Sequence, residues 1–369
     1  MRAKGLLAVA LAVLGLAGCG AGPGVKPIDD RALVLGAAAD KASQGEVKYT
    51  LEIPSPQSLS GSSGGGNQFY SVEAAARSFD GAISQMENET SRDIYLGQLH
   101  VLILALDLPP LARDRLIAEE QRLGETDHTE WFVLAEGKAA QLLTPPPLQE
   151  RLPAFFYSTH FNCQGCQAVD YGVPAWRVEA DLASPGSVAV VPVATAKGGN
   201  ISINRVAALR RGSPTFVFTP AETVSVMALR GKLGKGSFDF PTPLGSASVR
   251  SVQAKVTRRA AIGQDGRLHV AVTVNYTGLV AQRPERVLHL TPEALAVVRQ
   301  SCAEALTGNL VAAIGRAQRS GVDAFYFGQA LYLADPEAYT ALGDFSQAFK
   351  KAVVAVNVHV NLPDQGIAV

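Results

Sequence analysis

Alternation of apolar and polar positions dominates four stretches of the chain. Val47, Tyr49, Leu51 and Ile53 form the first, and Val252, Ala254 and Val256 the second. Leu268, Val270, Val272, Val274 and Tyr276 form the third, and Val354, Val356, Val358, Val360 and Leu362 the last. Successive strand side chains point to opposite faces, so each run predicts a half-buried strand. Asp265-Gly266 between the second and third predicts a hairpin turn. Asp40 to Gly45 is a turn between the small apolar run Ala32–Ala39 and the first alternating strand. Leu99–Leu106 and Thr129–Ala135 are nearly unbroken apolar runs and predict buried strands. Val206–Leu209 and Phe216–Phe218 predict short ones.

Helical spacing appears elsewhere. Val72, Ala76, Phe79, Ile83 and Met86 step by four and three, which predicts one buried helix face with Ser71 as its cap and Glu73 in its first turn. Pro109-Pro110 opens a second helix reaching about Leu123, because proline is tolerated in a first turn. Ala221–Leu229 predicts a third. Thr291-Pro292-Glu293 combines cap, proline and first-turn acid, and Leu295, Val298, Cys302, Leu306, Leu310 and Ile314 continue it as a long stripe. Asp335-Pro336-Glu337 starts another helix, with Tyr339, Leu342, Phe345 and Phe349 as its apolar contacts.

These elements predict an α+β, multi-domain protein. Residues 28–195 form an α/β N-terminal domain, and residues 200–369 an antiparallel sheet packed with a long helix, with 200–240 as a separable middle subdomain. The Val-, Ala-, Gly- and Pro-rich residues 185–200 read as the boundary, residues 231–248 as a Gly/Ser/Pro linker, and Thr144-Pro145-Pro146-Pro147 as an interruption.

The N-terminus changes the picture. Arg2 and Lys4 precede an apolar run from Gly5 to Leu16, and Leu16-Ala17-Gly18-Cys19 follows. This is the layout of an export signal, residues 1–18, and the run is short for a membrane span. The cysteine after Ala17-Gly18 resembles a lipobox, which implies cleavage between Gly18 and Cys19 and lipidation of the Cys19 thiol. Residues 19–27 are then a flexible tether. Lys plus Arg and Asp plus Glu both number 33, so no basic surplus favours nucleic acid.

Candidate chemistry is sparse. Cys163-Gln164-Gly165-Cys166 supplies two thiols in an aromatic, turn-rich segment. A local disulfide, reduced thiols, and a metal or redox role all fit that pair, and no second CxxC or HxxxH completes a zinc site. His100 and His128 lie near strands with no partner at ligand spacing, so packed or exposed histidines are expected rather than a metal site. Cys302 falls on a helical stripe, where a buried inert thiol is expected. Gly61-Ser62-Ser63-Gly64-Gly65 matches the nucleophile-elbow pattern, but Pro54, Pro56 and the run of glycines predict a loop there instead. No catalytic residue, metal site or cofactor is predicted.

Several segments together resemble the GerC-type lipoproteins, the C subunits of bacterial spore germinant receptors. Ser320-Gly321-Val322-Asp323-Ala324-Phe325-Tyr326-Phe327-Gly328 is similar to that family's Asp-Ile-Phe-Gly-Phe-Gly turn after a long helix. Asp335-Pro336-Glu337-Ala338-Tyr339 resembles its Pro-x-x-Trp segment, and Val354 to Gly366 its closing strand. Ile28 to Gly36, ending at Asp40, fits its first strand, and Tyr95 to His100 fits a Leu-Gly-His segment imperfectly. Gly20 stands where the family often has tryptophan, and Tyr339 and Phe345 replace its C-terminal tryptophans. The resemblance implies a non-catalytic, lipid-anchored subunit at the extracytoplasmic face of the spore inner membrane, partnered by membrane A and B subunits. The competing reading is a solute-binding lipoprotein serving a transporter; two similar α/β lobes would mark it, and the hairpin and long helix do not.

Overall fold

In the computed structural model, the described residues are 27–55, 68–144, 150–163, 171–234 and 236–363. Their first layer is an eight-stranded sheet ordered β10-β9-β8-β7-β6-β2-β3-β4. Its parallel centre consists of β2 (Gly36–Lys41), β6 (Val101–Ala105), β7 (Trp131–Glu136) and β8 (Ala189–Lys197). Strands buried on both faces need apolar residues at consecutive positions. Val101, Ile103, Leu104 and Ala105, with Phe132 to Ala135, meet that need and are almost fully enclosed. Antiparallel strands flank the centre: β3 (Val47–Pro54) and β4 (Phe69–Ala76) on one side, β9 (Asn200–Leu209) and β10 (Phe216–Val217) on the other. A small parallel pair, β1 (Arg31–Leu33) and β5 (Asp93–Tyr95), sits apart.

Four helices accompany this sheet: α1 (Phe79–Met86), α2 (Pro110–Glu120), α3 (Pro153–Asn162) and α4 (Ala175–Ala183). Two buried carboxylates fix the segment after β7. Asp40 at the end of β2 accepts from Ala139 N at 2.7 Å and Ala140 N at 3.0 Å, opening the 3-10 turn Ala139–Leu143. Glu52 of β3 accepts from Ala154 N at 3.1 Å, within the first turn of α3. Helix and 3-10 starts carry unpaired N–H groups, and the oxygens of an acidic side chain satisfy them.

The second sheet, β11-β12-β13-β14, runs antiparallel through β11 (Ser237–Thr242), β12 (Gly245–Ile262) and β13 (Leu268–Gln282). The last strand, β14 (Val353–Asn361), joins β13 in parallel. A parallel return needs a long crossover. Here it comprises the 29-residue α6 (Pro292–Ser320) and the short helices α7 (Phe327–Ala334), α8 (Pro336–Ala341) and α9 (Phe345–Lys350). Thr291 caps α6 by accepting from Ala294 N at 3.2 Å, and Gly321, in the left-handed region at φ 67°, ends it. Between the sheets, α5 (Pro220–Leu229) starts with a full capping box between Thr219 and Glu222. The expected contacts of the terminal helices form: Tyr339 stacks on Phe345 and Phe345 on Phe349.

Three local expectations are corrected. Residues Val72 to Ala76 are strand, not helix: β4 pairs with all of β3, and α1 starts seven residues later, with Ser78 as its cap instead of Ser71. The "linker" 231–248 contains β11 and the start of β12, held by stacked Phe238 and Phe240. Residues 185–200 carry the buried β8, and the hairpin to β9 continues the first sheet. The aromatic segment before Cys163 is the helix α3.

Glu52 supplies a test of this architecture. Burial pushes its carboxyl up to about 8, opposed by the Ala154 N–H. The folded protein therefore holds a proton that an unfolded chain releases near 4.5. The stability it contributes is complete below that pH and is lost as pH rises through about 8. Urea denaturation between pH 5 and 8 should show a fall on the order of 3 kcal/mol from this group. Glu52→Gln should flatten that share of the profile.

Candidate functional site

The turn that ends α6 builds the most elaborate polar site among the described residues. Asp323 is buried directly after the helix and accepts from Phe325 N at 3.0 Å and Gly328 N at 2.7 Å. Burial raises its carboxyl to about 6, against those hydrogen bonds and the Arg230 charge. The turn is tight enough to force Tyr326 into the left-handed region at φ 65°, an uncommon conformation for a bulky residue. Phe325 and Phe327, on either side, are fully buried, so Tyr326 alone of the three turns to the junction with the first sheet.

There it meets α4, α5 and β12. The guanidinium of Arg230, just past α5, lies 3.7 Å from the centroid of the Tyr326 ring. Arg230 donates to Ala324 O at 3.1 Å and to Asp181 Oδ2 of α4 at 2.9 Å, and also bonds the Tyr326 hydroxyl. Tyr326 donates to Asp181 Oδ2 at 3.1 Å, and Arg177 Nε stands 3.1 Å from Asp181 Oδ1. Arg258 of β12 lies 5.8 Å from the same ring and bonds Leu229 O. Burial lowers the pKa of Arg230, and burial followed by the Arg230 charge lowers that of Arg258. Below the polar cluster, Gly186 at φ 67° packs backbone to backbone on Gly328. A Cβ on Gly186 would lie 2.3 Å from the Gly328 carbonyl carbon. The arrangement can hold two sheets in register. It presents paired charges and capped backbone, not a nucleophile beside a base.

The residues singled out from sequence scatter. Gly18, Cys19, Ser63 and Cys166 lie outside the described residues. Cys163 ends α3 and is disulfide-bonded. Cys302 is fully buried in α6, and burial pushes its thiol up to about 12. His100 Nδ1 lies 2.9 Å from Ser158 Oγ and its ring meets Phe155 edge-on, with burial lowering its pKa. His128 departs from expectation. Its Nδ1 lies 2.7 Å from Glu120 Oε1, and Glu130 completes a cluster whose ligand-type atoms all fall within 4.8 Å. Burial, then the neighbouring Glu120 carboxyl, raises Glu130 to about 9. Only the Asp323–Gly328 turn was readable beforehand; its partners Asp181, Arg230 and Arg258 carry no local signal.

Two family models cover almost the whole chain. Residues 24–196 match the spore germination protein N-terminal domain, and residues 205–366 match the spore germination B3/GerAC-like C-terminal domain. The chain belongs to the GerAC-like spore germination proteins. The family expected from the Asp323–Gly328 turn and the closing strand is thus the one found, and it gives this chain a role in germination. The crystal structure of the GerBC protein shares the fold, with a TM-score of 0.60, 89% of this chain and 97% of that one covered, at 13% identity. Among curated proteins, none matches this chain in sequence. The two family modules meet within the β8–β9 hairpin, so the C-terminal module contributes the second half of β9, and β10, to the N-terminal sheet. No described helix is long and apolar enough to cross a membrane.

Two substitutions test the junction. Arg230→Ala removes the buried guanidinium from Asp181, leaving it Arg177 and the Tyr326 hydroxyl, and should cost about 1.5–3 kcal/mol in chemical denaturation. Gly186→Ala forces a side chain into backbone. It should lower stability by more than the 0.5 kcal/mol or so expected of a surface substitution, while leaving the far-UV circular dichroism spectrum unchanged.

Proposed function

We propose that this chain is the lipid-anchored, non-catalytic subunit of a nutrient germinant receptor, working beside membrane A and B subunits at the extracytoplasmic face of the spore inner membrane. The observation that carries the reading is the ordered match of both spore germination modules to residues 24–196 and 205–366. Leu16-Ala17-Gly18-Cys19 supports the anchor. Two or more acyl chains hold a protein stably where one does not, since each buried CH₂ contributes about 0.8 kcal/mol. A tether confines the folded domain beside its partners and raises its effective concentration without tight intrinsic affinity.

Cys163 and Cys166 enter the same reading as a local disulfide with no part in signalling. Such a bridge closes a short loop and removes little unfolded-state entropy. The double serine variant should lose less than about 2 kcal/mol of stability, and spores carrying it should germinate normally.

The function is tested in spores. Cys19→Ala should abolish fatty-acid labelling and weaken or eliminate the nutrient response, while a trigger that bypasses the receptors still works. Ser63→Ala should leave the nutrient response intact. Loss of response in a folded, anchored Ser63→Ala protein would return the enzyme reading. Affinity capture from spore membranes should bring down two membrane receptor subunits; a transporter permease instead would support the solute-binding reading.

A further inference from the structure

We propose that Glu120, His128 and Glu130 form a binding site for one divalent transition-metal ion of the zinc type. The three residues come from the last turn of α2, the loop that follows it, and the residue before β7. One ligand atom from each lies within 4.8 Å of the other two, close enough to be drawn around a single ion. Zinc accepts carboxylate oxygen and imidazole nitrogen at about 2.0–2.2 Å.

Charge and burial point the same way. Glu120 and Glu130 are 6% and 3% exposed, so two carboxylates share a site almost closed to water. Among the described residues their basic neighbour is His128, and neither forms an ion pair with lysine or arginine. Glu130 Oε1 is buried with no hydrogen-bond partner. A buried carboxylate oxygen normally finds a donor or a cation. Once an entering ion displaces the Glu130 proton to solvent, two carboxylates and one neutral imidazole offer two negative charges, which a divalent ion cancels. The imidazole favours zinc-type ions over calcium and magnesium, which prefer all-oxygen shells.

The surroundings are arranged as an outer shell. Gln121 Nε2 donates to Glu120 Oε2 at 2.6 Å, and Thr126 Oγ1 lies 3.3 Å from Glu120 Oε1 and 3.0 Å from His128 Nδ1. Such contacts orient ligands. The backbone is committed too. His128 is left-handed at φ 55°, and the carbonyls of His128 and Glu130 accept from Trp176 N at 3.0 Å and Ala175 N at 2.9 Å. The loop therefore caps α4, the helix that carries Arg177 and Asp181 to the junction. An ion here would replace the His128–Glu120 hydrogen bond and tie α2, β7 and α4 together.

Titration calorimetry with Zn²⁺ on the chelator-treated full chain in detergent tests the site. It is done in the Cys163→Ser, Cys166→Ser background so that thiols do not contribute. The expected result is one equivalent of Zn²⁺, bound more tightly than Ca²⁺ or Mg²⁺ and accompanied by a rise in melting temperature. His128→Ala and the isosteric Glu130→Gln should each weaken binding at least tenfold, the least that loss of even an outer-shell partner does, with an unchanged circular dichroism spectrum. No saturable Zn²⁺ binding, binding that survives both substitutions, or tighter Ca²⁺ or Mg²⁺ binding would overturn the proposal.

Discussion

A guanidinium cannot be taken out of water alone, and Arg230 is only 7% exposed. The effective penalty for such a burial is several kcal/mol unless geometry and hydrogen bonds repay it. Here Asp181, the Ala324 carbonyl and the Tyr326 hydroxyl and ring face supply the return. Those partners come from α4 and from the turn after α6, while Arg230 itself follows α5. Each segment can sit where it does only because the others are present. The strained backbone of Tyr326 belongs to the same account. Its left-handed conformation costs energy in isolation, and Asp323, by accepting from the amides of residues 325 and 328, holds the turn that imposes it.

Acidic side chains do similar work in both modules. Asp40 and Glu52 reach from neighbouring strands to the segments that follow β7. Glu222 both closes its own capping box and pairs with Arg316 of α6. Carboxylates thus serve as joints between elements far apart in sequence. The Glu120–Glu130 pair differs, because two acids meet there with a single imidazole between them.

Elements whose signals are local were legible. Thr291-Pro292-Glu293 and the apolar stripe defined α6, and strict alternation defined β13, because caps and one-sided burial write themselves into neighbouring residues. Val72 and Ala76 misled because a spacing of four satisfies both a helix and a strand. The free edge of β3 decided for the strand. Glycine, serine and proline around Phe238 and Phe240 concealed β11, which becomes a strand by pairing with β12 and stacks those two rings on one face. The site was half legible. Asp323 to Gly328 announced a turn, but the Tyr326–Asp181 bond joins residues 145 positions apart, which no period or motif reports. His128 shows the same limit at shorter range: Glu120, eight residues earlier, becomes its neighbour only because the chain doubles back after α2.

The seam between the two modules passes through the β8–β9 hairpin, and that has a bearing on how such chains can be shuffled among relatives. If descent joined an N-terminal module from one lineage to a C-terminal module from another at that seam, β8 would receive a foreign stretch of β9 against residues 189–193. Val190, Val191 and Val193 would then need matching neighbours at once. Exchange is tolerable only if the cut falls beyond β10, so that the eight strands travel as one inheritance. The two modules, although separable as patterns, are expected to have changed in step.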